Sequence, residues 1–178
     1  MRTALTVLLL VLPSAVLAQI PPPGAPLKHK SSILWDLRAT AGATAQSLRD
    51  ISGHDWNYGA TLGLAGGVIY RGRPSAGLTA RAALDLSFPD VPSLVTFGFG
   101  FALFPVATSP NFIRVTAGPS VLLGSVVEVG VGFEADTQLR LGDKLSLALG
   151  LGGVFRRRDA PFAELWLARA TVGLAYEL

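Results

Sequence analysis

The run from Trp56 to Arg71 limits what this chain can fold into more than any other stretch. Trp56, Tyr58, Ala60, Leu62, Leu64, Gly66, Val68 and Tyr70 share one face of an extended chain. Asn57, Gly59, Thr61, Gly63, Ala65, Gly67, Ile69 and Arg71 share the other. Period two is strand geometry, and a helix would scatter the first set around its axis. From Tyr58 to Tyr70 a strand covers about 40 Å, and a tilt of about 40° turns that into a rise of roughly 30 Å. An aliphatic face of that height, with aromatic residues at both ends, matches the apolar band of a bilayer and its two interfacial belts.

The helical alternative fails on the same kind of pattern. Half of the residues are hydrophobic, 15% are charged and the mean hydropathy is +0.47, values that usually accompany transmembrane helices. The uncharged stretch from Val91 to Ile113 is where such a helix would lie. Pro92, Pro105 and Pro110 interrupt it, while Val95, Phe97, Phe99, Phe101 and Leu103 alternate with Thr96, Gly98, Gly100 and Ala102. The 20 glycines of the chain also suit sheets and turns better than helices. High hydropathy without a spanning helix leaves a closed barrel, because an open sheet edge in lipid has unpaired backbone groups.

Three segments are expected. Residues 1–18 place Arg2 before an apolar run, Ala4 to Leu12, and Val16 and Ala18 before a cut ahead of Gln19, the layout of an export signal. Residues 19–32 hold Pro21, Pro22, Pro23 and Pro26, then Lys28, His29 and Lys30, and read as a solvated periplasmic tether. Residues 33–178 are the barrel. With no cysteine in the chain, neither a thiol-linked lipid anchor nor a disulfide framework is available. Loss of Arg2 with the signal leaves 14 basic residues against 12 acidic ones, too even a balance for a nucleic-acid partner. No cofactor is expected, and two distant histidines without a cysteine give no metal-ligand spacing.

Eight alternating segments follow one another between Pro- and Gly-rich turns: 33–44, 56–71, 76–88, 94–104, 113–123, 127–141, 145–155 and 162–178. The stretch from Gln46 to Asp55 reads as a polar loop, and Pro119 as a bulge near the rim of the fifth strand. An even strand number puts both termini on the periplasmic side. The face opposite the apolar one carries Arg38, Arg81, Arg114, Arg140 and Arg169 with Asp36, Asp85, Glu128, Glu134, Asp136 and Glu177. Eight strands enclose only enough width for side chains, so these charges are expected to form a salt-bridged plug. The small inner face of the second strand, from Gly59 to Gly67, is expected to give Arg38 and Arg81 room to reach across.

Two further groups are candidates for chemistry. Ser52, His54 and Asp55 combine a nucleophile, a base and a carboxylate within four positions of a polar loop, where a solvated loop is the plainer reading. Arg156, Arg157 and Arg158 sit at the outer rim of the last hairpin, where planar guanidiniums suit lipopolysaccharide phosphates.

From Ile33 to Leu178 the pattern resembles the small eight-stranded outer-membrane barrels, OmpA-like or OmpX-like. Val172, Leu174, Tyr176 and Leu178 resemble the terminal-strand signal of that family, which implies recognition by the barrel-assembly machinery. The family signal usually ends in Phe or Trp, and here it ends in Leu178. The resemblance implies an integral protein of the outer membrane in contact with its lipid, and the residues themselves lead to an expected structural or surface-interaction role with no catalytic residue. A lipid A-modifying enzyme, a narrow pore and a secreted soluble barrel with an apolar interior remain as alternatives.

Overall fold

The computed structural model describes residues 32–50, 53–106, 109–157 and 164–178. They form β1 (Ser32–Asp50), β2 (Gly53–Arg71), β3 (Ala76–Phe88), β4 (Ser93–Leu103), β5 (Phe112–Leu123), β6 (Val127–Arg140), β7 (Leu145–Arg157) and β8 (Glu164–Glu177). Each strand pairs antiparallel with the next, and β1 closes on β8, giving an all-β, eight-stranded up-and-down barrel. Segment 1–18 and the tether up to residue 31 lie outside the described residues.

The register fixes the dimensions. Backbone partners lead from Leu34 to Ile69, Thr79, Gly100, Thr116, Glu134, Gly152 and Arg169, and then back to β1 at Thr44. The circuit thus returns ten residues further along β1, the interval from Leu34 to Thr44. A stagger of that size over eight strands spaced about 4.8 Å apart sets the tilt near 40° and the radius at about 8 Å. That interior is wide enough for interlocking side chains and too narrow for an open channel.

The register corrects two expectations. The stretch from Gln46 to Asp55 is largely strand: Gln46 pairs with Asn57, Ser47 with Trp56, and pairing continues to Asp50 opposite Gly53. Beyond the apolar band both faces of a hairpin are wet, so the loss of alternation marks the exit from lipid and not the end of the strand. Pro119 is not a bulge. It pairs with Val131 on β6, and β4–β5 pairing skips Phe97 and Gly98 but resumes at Phe99–Ala117 without a change of register. A proline that points outward with its missing donor toward one neighbour empties a rung without adding a residue.

Aromatic residues mark both ends of the outer wall over β7, β8, β1 and β2. Trp56 and Trp166 both pair with Ser47, and the Phe155 and Trp166 rings lie 4.5 Å apart at the same end. Trp35, Tyr70 and Tyr176 mark the end that holds both termini. At the tilt set by the register these ends stand roughly 30 Å apart. None of the outward residues of the described strands between them is charged, and the hydroxyl of the outward Thr137 donates to the Phe112 carbonyl at 3.1 Å.

Candidate functional site

Alternation sends every second side chain of each strand into the barrel, and the inward charges collect at mid-height. Arg114 lies at the centre of this band. Its Nε donates to Asp136 Oδ2 at 3.0 Å, and its Nη1 and Nη2 donate to the two Asp36 oxygens at 2.9 and 3.3 Å. Arg38 Nη2 reaches the other Asp136 oxygen at 2.8 Å, and Gln138 Nε2 donates to Asp36 at 3.0 Å. The chain of ion pairs continues upward through Arg81 and Glu134, Glu134 and Arg169 at 2.6 Å, and Arg169 and Asp85. Four guanidiniums therefore face four carboxylates, all buried. Burial without such pairing would cost several kcal/mol per ion, on the order of the whole stability of a small domain.

Glycine makes the room. A Cβ on Gly67 would stand 2.5 Å from Arg114 Nη1 and 2.8 Å from Asp36 Oδ1, and one on Gly152 would meet Arg169 Nε at 3.2 Å. The space over β2 is not taken by Arg38 and Arg81 as the sequence suggests. Arg114 and Asp36 fill it at Gly67, and Asp85 and Thr40 fill it at Gly63. Arg38 and Arg81 turn instead to Asp136 and Glu134 on β6, because a buried guanidinium is placed by its carboxylate partner more than by empty volume.

Above and below the ionic band lie two apolar layers that sequence reasoning missed. At the loop end Val91, Leu94, Leu122, Val154, Leu165 and Leu167 pack into one buried cluster. At the end with the termini, Ile69, Ala102, Phe104 and Phe112 form another, with Leu34 against it and the Arg71 guanidinium 3.8 Å from the Phe104 ring centroid. The signal was present as large apolar residues standing in the inward phase at strand ends, Leu94 and Leu122 at one end, Phe104 and Phe112 at the other.

Outside each layer stands an ion pair at the rim. Arg140 pairs with Glu177 at the termini end, and Arg156 pairs with Glu128 at the loop end. Of the eleven inward ionic residues named from the sequence, eight thus meet in the central band and three sit at the rims. Arg156, at an even position on β7 that points into the barrel, pairs there with Glu128. Arg158 and the Arg157 side chain lie outside the described residues. So do Ser52 and the His54 side chain, while Asp55 is exposed on β2. Among the described residues, no group of three or more His, Cys, Asp or Glu side chains could hold a metal ion.

No family model and no curated protein matches this chain. Among solved structures, it is similar to a de novo designed transmembrane β-barrel, with a TM-score of 0.46 and 16% identity over 85% of this chain and all of that one. It is similar to Neisserial surface protein A, with a TM-score of 0.45 and 12% identity over 80% of this chain and 97% of that one. Ail, the attachment invasion locus protein of Yersinia pestis, matches with a TM-score of 0.46 and 8% identity over 81% of this chain and 99% of that one. At these values nothing about ligand or role passes from them to this chain.

Proposed function

We propose that this protein is an integral outer-membrane barrel with a sealed interior, which anchors the β1–β2 hairpin beyond the membrane surface for contact with other molecules. The observation that carries this reading is the polarity of the wall: Leu64 is 65% exposed, Phe99 67% and Val129 67%, while the charged residues of the band are buried. Water would not tolerate so continuous an apolar surface, whereas lipid requires it. A soluble ligand-binding barrel has the opposite polarity, with its apolar face inside.

The balanced ionic band and the two apolar layers support a closed interior over a pore. The hairpin supports the display role. Pairing between β2 and β3 begins only at Ala60 and Phe88, so Gly53–Gly59 pairs, among the described residues, with β1 alone. Along this segment Trp56 and Tyr58 stack with ring centroids 6.4 Å apart. The lipid-modifying alternative rests on Ser52, His54 and Asp55, of which Asp55 alone has a described side chain.

Purified protein in planar bilayers is expected to give no steady single-channel openings, and discrete sustained openings would overturn the sealed interior. The topology has its own test in single-cysteine variants. A membrane-soluble thiol reagent in vesicles should label Leu62→Cys and Phe99→Cys and leave Thr61→Cys untouched; labelling of Thr61→Cys alone would turn the barrel inside out.

A further inference from the structure

The outer wall is not uniform. A groove of about 690 Å³ runs across it, and its course follows one hydrogen-bonded ladder, from Leu145 to Tyr176, Leu37, Gly66 and Ala82 on β7, β8, β1, β2 and β3. At about 4.8 Å per strand the ladder is about 19 Å long. The stagger of the barrel makes it climb from the termini-side belt at Tyr176 toward mid-height. The neighbouring ladder forms one bank, with Leu174, Leu64 and Leu84. At its upper end the groove meets Val95 on β4, the partner of Leu84. Gly66 and Ala82 leave the floor low, where the opposite wall carries Phe99 and Phe133.

One cation stands at the mouth. Lys144, in the turn before β7, holds its Nζ 5.7 Å from the Tyr176 ring centroid, and its carbonyl accepts from the Glu177 N–H at 2.9 Å. The nearby Glu177 carboxylate is already engaged by Arg140, and Asp143 precedes Lys144 in the same turn. The groove thus has a positive group at the depth of the interfacial belt and an apolar trough leading from it into the membrane.

We propose that this groove binds one acyl chain of an anionic phospholipid in the termini-side leaflet, with the lipid phosphate at Lys144. The charge at the mouth selects this occupant over a second copy of the chain, which has no phosphate to offer it. A trough about 19 Å long that starts at the interface and climbs obliquely also suits a chain that must cross roughly 15 Å of leaflet, half of the apolar core. The inference rests on the membrane-spanning reading above, and the experiment separates the two.

The full-length protein is reconstituted in vesicles of phosphatidylglycerol and phosphatidylcholine, tested for flotation with them, and released into the gas phase for native mass spectrometry. The wild type should keep one phosphatidylglycerol per barrel. Gly66→Leu and Ala82→Leu should each lower that retention about tenfold, the loss of roughly two buried methylenes. A Cβ at Gly66 meets nothing nearer than the flexible Leu37 Cδ2, at 3.5 Å, and the Asp36 carbonyl oxygen, at 4.0 Å, so the fold accommodates it. Lys144→Gln should keep a lipid but lose the preference for phosphatidylglycerol, while Ala117→Leu on the far wall should change nothing. Equal retention by wild type and both groove-filling variants overturns the proposal, as does a wild-type dimer that Gly66→Leu converts to monomer. A barrel that floats with vesicles yet keeps no lipid overturns the groove alone; one that does not float overturns the membrane reading itself.

Discussion

Replacing Arg114 with methionine is expected to destabilise the barrel by about 3–5 kcal/mol, the usual cost of removing one partner from a buried ion pair. Arg114 is fully buried and serves two carboxylates at once, Asp36 and Asp136. Methionine keeps the length of the stem and removes the charge, which leaves four carboxylates facing three guanidiniums in a space closed by apolar layers. Urea unfolding in vesicles, followed by the emission of Trp35, Trp56 and Trp166, should show a midpoint well below that of the wild type. The double variant Arg114→Met with Asp136→Leu restores three against three, with Arg38 still 3.7 Å from Asp36, and should recover much of the loss. A single variant as stable as the wild type would mean that the pairing is not what Arg114 contributes. A double variant no better than the single would mean that shape, and not charge balance, sets the cost.

The strands were legible in the sequence because lipid and interior demand opposite chemistry on alternate residues, so each strand announces both its existence and its phase. The same contrast marked Asp36, Arg38, Arg114 and Asp136 as inward before any partner was known. What the alternation cannot encode is which strand a long side chain crosses to, and Arg38 and Arg81 found β6 where the small face of β2 had seemed the natural space. The apolar layers escaped for a related reason. Leu94, Leu122, Phe104 and Phe112 sit in the polar phase, and an apolar residue there reads as noise until the register brings several to one height. The upper part of the first hairpin was hidden because hydropathy reports contact with lipid, and a strand that has left the membrane no longer carries the signal.

Gly100→Val is expected to prevent formation of the folded barrel, and Gly100→Ala to impair it severely. A Cβ on Gly100 would lie 1.9 Å from the Val115 carbonyl oxygen across the β4–β5 pair. The obstacle is backbone, so no rotamer change relieves it, and the cost lies at or above the top of the about 1–3 kcal/mol that overpacking usually takes. Three other inward glycines meet a backbone carbonyl about as closely, at 2.0 Å: Gly118 faces the Phe97 carbonyl on the same seam, and Gly42 and Gly173 face the Ala170 and Ala39 carbonyls on the β1–β8 seam. The two seams are four strands apart, on opposite sides of the barrel. Where a sheet bends sharply its inward side chains converge, and a position without a side chain is what permits the bend. The closest backbone approaches of this barrel thus fall at two glycine-lined seams, with the ionic band held between them. Folding into vesicles, read as the mobility difference between unheated and boiled samples on a denaturing gel, should fail for Gly100→Val and likewise for Gly173→Val. Gly142→Ala, where a Cβ meets nothing within 4 Å, should fold like the wild type. Normal folding of Gly100→Val would show that the β4–β5 corner can open, and that closure does not require glycine there.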